Sequence, residues 1–337
     1  MMDLINALVS ILNYIIVPGL TYGSQLALGA LGVTLIYGVL RFSNFAHGDT
    51  MAFGTTFAII GTWGLQAAGI SAGPLPTALL ALPLAILSTV LVVLATDRMV
   101  YRFYRRQRAK PIILVIASVG VMFVMNGLVR IIIGTKEQNF TDGERFILNP
   151  QDFKVATGLA EPLAIRTTQG VTVVVAVICV IVLFWFLNRT RTGKSMRAFS
   201  DNEDLALLSG INPDRVVMVT WIIAGTLAAI GGTLFGLDKS FRAFIYFGLM
   251  MPVFAAAIVG GIGSPLGAIA GGYIIAFSEL ILTNAWRKVL SYILPESWVG
   301  DGLYQALSTD YKVAVSFTIL IIVLLVKPNG LFGGQSR

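Results

Sequence analysis

The stretch Arg189–Arg215 reads RTRTGKSMRAFSDNEDLALLSGINPDR, and it stands between two apolar runs that are each long enough to cross a bilayer. Ser200 and Glu203 have the S-x-x-E spacing of a capping box, Gly210 is a natural helix stop, and Asn212-Pro213 suits the start of a second helix. The segment is therefore expected to fold rather than trail in solvent. Its first helix would run about two to three turns, too short to be stable in water by itself. It also sets Leu205, Leu207 and Leu208 among acidic residues. Such a helix calls for a partner surface.

Around this segment the 337-residue chain is mostly apolar, 56% hydrophobic and 12% charged, with a mean hydropathy of +0.82. Soluble domains carry roughly a quarter of their residues charged, so the composition describes an integral membrane protein embedded in lipid. The expected fold is all-α, a polytopic bundle of about eight or nine transmembrane helices in one domain, 1–337. Spans are read near residues 18–40, 51–69, 75–96, 111–134, 171–188, 216–237, 248–262, 265–285 and 311–327. Two places leave the count open: Gly260-Gly261-Ile262-Gly263-Ser264-Pro265, a tight turn or a break within one span, and residues 41–50.

The net charge of +7 is unevenly spread. Arg98, Arg102, Arg105, Arg106, Arg108 and Lys110 fall in the linker 97–110, and Arg189, Arg191, Lys194, Arg197 and Arg215 in 189–215. Positive charge favours the cytoplasmic side, which puts both linkers there and the mixed-charge loop 135–170 in the periplasm. The pair of spans between the linkers makes this consistent. No aromatic platform or recognition fold accompanies the basic runs, so nucleic acid is not an expected partner. The first basic residue is Arg41, so the opening apolar segment reads as a retained span with its tail outside.

A second polar interruption, Arg41-Phe42-Ser43-Asn44-Phe45-Ala46-His47-Gly48-Asp49-Thr50, has no room for a soluble loop. Ionisable groups at membrane depth face a cavity or a partner. Asn44, His47 and Asp49 could line a translocation path at a broken helix, or they could pin a turn by capping and pairing. His47 has Asp49 and Asn44 as its nearest polar neighbours in sequence. Elsewhere in the spans ionisable residues are scarce: Arg130, Asp238 at a boundary, and Glu279, expected beside a polar group or a water-filled crevice.

Catalytic readings fail. With His47 and Cys179 as the sole histidine and cysteine, neither a zinc cluster nor a Cys/His nucleophile pair can be built. Gly193-Lys194-Ser195 imitates the end of a P-loop, but Asn188 stands where its first glycine belongs and an apolar span replaces the strand. No catalytic residue, metal ligand or cofactor is expected in this chain, and any ATP must be hydrolysed elsewhere.

Asp204-Leu205-Ala206-Leu207-Leu208-Ser209-Gly210 resembles the EAA-x-x-x-G loop of bacterial ABC importer permeases, with Asp for Glu and Leu for the first Ala. The stretches Ser43–Asp49, Gly210-Ile211-Asn212, Gly260-Gly261-x-Gly263-Ser264-x-x-Gly267 and Lys327-Pro328-x-Gly330-Leu331-Phe332-Gly333 then follow in the order of the LivH/LivM permeases of branched-chain amino-acid importers. That resemblance implies an inner-membrane permease subunit paired with a second, related permease. It also implies two cytoplasmic ATP-binding subunits and a periplasmic substrate-binding protein. The loop 189–215 would be the coupling loop, opened by Ser200, with Glu203, Asp204, Ala206 and Gly210 at the ATPase contact. Relatives with these motifs also carry urea or short amides. A stand-alone ion-coupled carrier is the alternative of another class.

Overall fold

The computed structural model describes residues 2–140, 142–293, 302 and 304–333. Helix α1 (Met2–Ile11), a π turn at Leu12–Ile16 and α2 (Val17–Leu40) form one continuous rod of 39 residues. Helix α3 (His47–Ala67) returns. Helix α4 (Ala78–Thr96) continues through a second π turn, Asp97–Tyr101, into α5 (Arg102–Arg106). After α6 (Pro111–Ile133) comes α7 (Pro150–Thr157), between the short strands β1 (Phe146–Leu148) and β2 (Ile165–Arg166). Then follow α8 (Thr167–Arg189), α9 (Arg191–Asp201), α10 (Glu203–Leu208), α11 (Pro213–Lys239), α12 (Ile245–Gly260), α13 (Pro265–Thr283), α14 (Arg287–Ile293) and α15 (Lys312–Val326).

In lipid every backbone polar group must be satisfied within the segment, so long apolar runs become helices. Proline at the first turn of α6, α11 and α13 costs nothing there, because that turn's N–H groups have no helical partner. Seven described spans are long and apolar enough to cross a membrane. Helix α12 is apolar but has only 16 residues, and α3 has 21 residues of more polar character. Counting those two as well gives nine candidate crossings among the described residues, against the eight or nine expected. The small ribbon β1–β2, with Phe146 opposite Arg166, is the only described sheet in an otherwise helical chain.

Helix α3 starts at His47, four residues before the expected span. Its first turn, HGDT, was too polar to read as membrane-embedded, but all four residues are buried against protein rather than lipid. Helices α2, α3, α11, α12 and α13 form the packed centre. Leu87 and Leu91 of α4, Ile116 and Phe123 of α6, and Ile181 and Trp185 of α8 point outward from the bundle as an apolar surface.

The glycine-rich stretch 260–265 is a turn between two helices. A Cβ on Gly260 would lie 1.9 Å from the Gly267 carbonyl oxygen, and one on Gly267 would lie 2.2 Å from the Gly260 oxygen. Only glycine permits that backbone crossing. The segment after α15 closes over it, Leu331 N–H donating to the Val259 carbonyl and Phe332 N–H to the Gly260 carbonyl, each at 2.9 Å. Two motif stretches some seventy residues apart in sequence are thus one structural unit.

Both basic linkers lie at one end of the bundle, where Arg102 pairs with Asp214 at 3.0 Å and the Arg41 guanidinium donates to the Ser200 carbonyl. The segment 135–170 lies at the other, distal end and is stapled there. Arg242 Nε donates to Glu137 at 2.8 Å, Asp142 accepts from the Thr77 N–H at 2.9 Å, and Lys288 meets Glu161 at 2.9 Å. Hydrogen bonds from Ser240 and Arg242 hold the Glu137 carboxyl below its usual range. Although desolvation opposes it, the Glu161 hydrogen bond holds the Lys288 amine above its usual value.

Candidate functional site

Thr190 ends α8 and caps α9, its hydroxyl accepting from the Gly193 N–H at 3.0 Å. Gly193, Met196 and Phe199 bury one face of α9, which runs on through Ser200 to Asp201. Ser200 is therefore helical, and the expected capping box with Glu203 does not form. Asn202 is the residue outside helical geometry, and its Oδ1 accepts from the Leu205 N–H at 3.0 Å to cap α10. The remaining punctuation matches expectation: Gly210 takes φ +78° beyond α10, and Asn212 caps α11, accepting from the Arg215 N–H at 3.2 Å.

Helix α10 has one buried side chain, Ala206, at 3% exposure, whereas Leu205, Leu207 and Leu208 are 62%, 43% and 85% exposed. Glu203 and Asp204 lie exposed at its N-terminal turn. The hairpin thus presents an apolar patch with an acidic edge, a combination that soluble or lipid contact alone does not explain.

Beneath it lies the turn 41–46. Arg41 closes α2 in the left-handed conformation, φ 56°. Asn44 Oδ1 accepts from the Ala46 N–H at 3.1 Å and from the Tyr101 hydroxyl at 3.1 Å, and Ser118 Oγ accepts from the Phe45 N–H at 3.1 Å. Tyr101 stacks on Trp221 with ring centroids 5.2 Å apart and planes 9° apart. Trp221 Nε1 donates to Asp97 at 2.7 Å, and Arg105 donates to the same carboxylate at 3.1 Å. Phe42, Met196, Phe199, Ala206 and Trp221 belong to one apolar cluster, so the turn and the hairpin share a core.

Asn44, His47 and Asp49 are all buried, but they do not pair with one another. Asp49 accepts from Asn126 of α6 at 2.8 Å. Two residues turn a helix by about 200°, so His47 points the other way, onto α2. A Cβ on Gly32 would lie 2.5 Å from His47 Cε1, and His47 Nε2 has no hydrogen-bond partner among the described residues. Sequence reasoning missed Asp97, Tyr101, Ser118, Asn126 and Trp221. They lie on three different helices and carry no local motif.

The family described as branched-chain amino acid transport system / permease component matches residues 15–324. The chain belongs to that permease family. LivH of Escherichia coli, a high-affinity branched-chain amino acid transport system permease protein, is 31% identical over 94% of this permease and 93% of its own length. BraD of Pseudomonas aeruginosa, a permease protein of the same description, is 29% identical over 94% of each chain. Among solved structures, PsaBC from Streptococcus pneumoniae in complex with a Fab aligns with a TM-score of 0.48 and 12% identity, over 98% of this permease and 93% of that chain. The protein is a multi-pass inner-membrane permease subunit of an ABC importer.

Proposed function

We propose that this permease forms, with a second permease of the family, a path for branched-chain or related neutral amino acids, driven by ATP-binding subunits docked on α10. The exposed Leu205, Leu207 and Leu208 carry the reading. An apolar helix of six residues gains its stability from a partner. Here Glu203, Asp204, Ala206 and Gly210 meet the ATPase, with Ser200 joined to Arg41 behind them. The segments 97–110 and 189–215 are cytoplasmic, and a periplasmic substrate-binding protein docks on the distal end that carries 135–170. ATP belongs to the partner subunits, and this chain holds no cofactor.

In this reading Asn44 and Asp49 pin the turn that receives motion from the hairpin, and His47 packs α3 onto α2. Replacing Gly210 with Val strains a position at φ +78° and tilts α10. In the reconstituted complex L-leucine uptake and substrate-stimulated ATP hydrolysis then fall together by roughly tenfold, a coupling change of about 1.4 kcal/mol. Undiminished coupling in that variant rejects the docking site.

A further inference from the structure

The distal end opens into a cavity of about 890 Å³ between α2, α11, α12, α13 and α15, and the buried carboxylate of Glu279 lies in its wall. Glu279 is 2% exposed. One carboxylate oxygen accepts from the Ser316 hydroxyl, while the other, Oε2, has no hydrogen-bond donor among the described residues. The Tyr22 phenol lies close to the same carboxylate, and Lys312 is within electrostatic range. A buried carboxylate oxygen without a donor is costly, so such an atom marks a place where a cation or donor belongs.

A second acceptor lies in the same wall. Pro252 lies inside α12 and has no N–H to give to the Gly248 carbonyl one turn earlier. Gly248 and Pro252 both line the cavity, and a Cβ on Gly248 would meet open space. The wall thus offers a carboxylate oxygen and a backbone carbonyl released from its helical partner. A carboxylate with one oxygen outside hydrogen-bond distance of any described donor, beside a carbonyl that has lost its N–H one turn later, favours a group that is all donor, and a primary ammonium has three N–H bonds and no lone pair. Arg166 and Lys312 in the same lining supply positive charge for an anionic tail.

We propose that this cavity is a solute-binding subsite in which Glu279 and the Gly248 carbonyl hold the ammonium group of an amino acid in transit. The inference rests on the amino-acid reading above, but it can be tested apart from transport. The assembled complex, freed of binding protein, is titrated with leucinol and with 4-methylpentan-1-ol, which has the same skeleton without the amine. Leucinol binds at least ~10-fold more tightly to the wild-type complex. Glu279→Gln, which keeps the shape and the Ser316 contact but removes the charge, loses that preference, and Glu279→Asp recovers part of it.

Equal binding of the two alcohols overturns the proposal without any variant. So does an undiminished preference in Glu279→Gln, or displacement of leucinol by Na⁺ as readily as by methylammonium. If leucinol binds through Glu279 but the complex moves no L-leucine, the subsite stands and only the assignment of the transported amino acid falls.

Discussion

The two polar interruptions of this membrane chain solve opposite problems. The turn 41–50 carries Asn44, His47 and Asp49 inward, where Asn44 meets Tyr101 and Asp49 meets Asn126. The hairpin 189–210 does the reverse, turning Leu205, Leu207 and Leu208 out of the protein. Polar groups within and apolar groups without are each unfavourable unless something meets them. For Asn44 and Asp49 that something is the same chain. For the hairpin, in the proposed reading, it is a docked ATP-binding subunit, so changes in the turn should tell on stability and changes in the hairpin on coupling.

Trp221→Ala should have the largest effect on stability, because it empties the centre of the shared cluster and takes a hydrogen bond from Asp97. A loss of about 3–5 kcal/mol is expected, read from the thermal unfolding of the purified complex. Asn44→Ala strands the Tyr101 hydroxyl in a buried site and should cost about 1–3 kcal/mol, with the midpoint lowered accordingly. If either variant kept full stability but lost coupling, the turn would belong to the working surface.

Asn202→Ala removes the α10 cap and should cost about 1 kcal/mol locally, seen as faster amide exchange at Leu205 with little change in global unfolding. Leu208→Ser lies at the other limit. Its stability should stay within about 0.5 kcal/mol of wild type, while substrate-stimulated ATP hydrolysis falls. A Leu208→Ser complex that unfolds early but couples normally would invert the comparison.

Much of this was legible in the chain. Apolar runs gave the crossings because lipid permits few alternatives to a helix, and Gly210 and Asn212-Pro213 punctuated the hairpin as their backbone preferences require. The cap was misread because its placement depends on where the preceding helix ends. Thr190 starts α9 early enough for eleven residues to reach Asp201, which leaves Asn202, not Ser200, free to cap. His47 and Asp49 are neighbours in sequence, but helix geometry directs them to different partners. The Asn44–Tyr101–Trp221–Asp97 chain and the pairing of Glu279 with Ser316 depend on tertiary packing between helices. No spacing in the sequence announces such contacts.

The most direct test of the docking claim is a photoreactive residue placed at Leu208, and separately at Phe42, with cross-linking in the native membrane. The account predicts that the label at Leu208 joins the permease to an ATP-binding subunit, identified by mass, and that the label at Phe42 joins only to this chain. Capture of lipid alone at Leu208, or of the ATP-binding subunit from Phe42 instead, would contradict it.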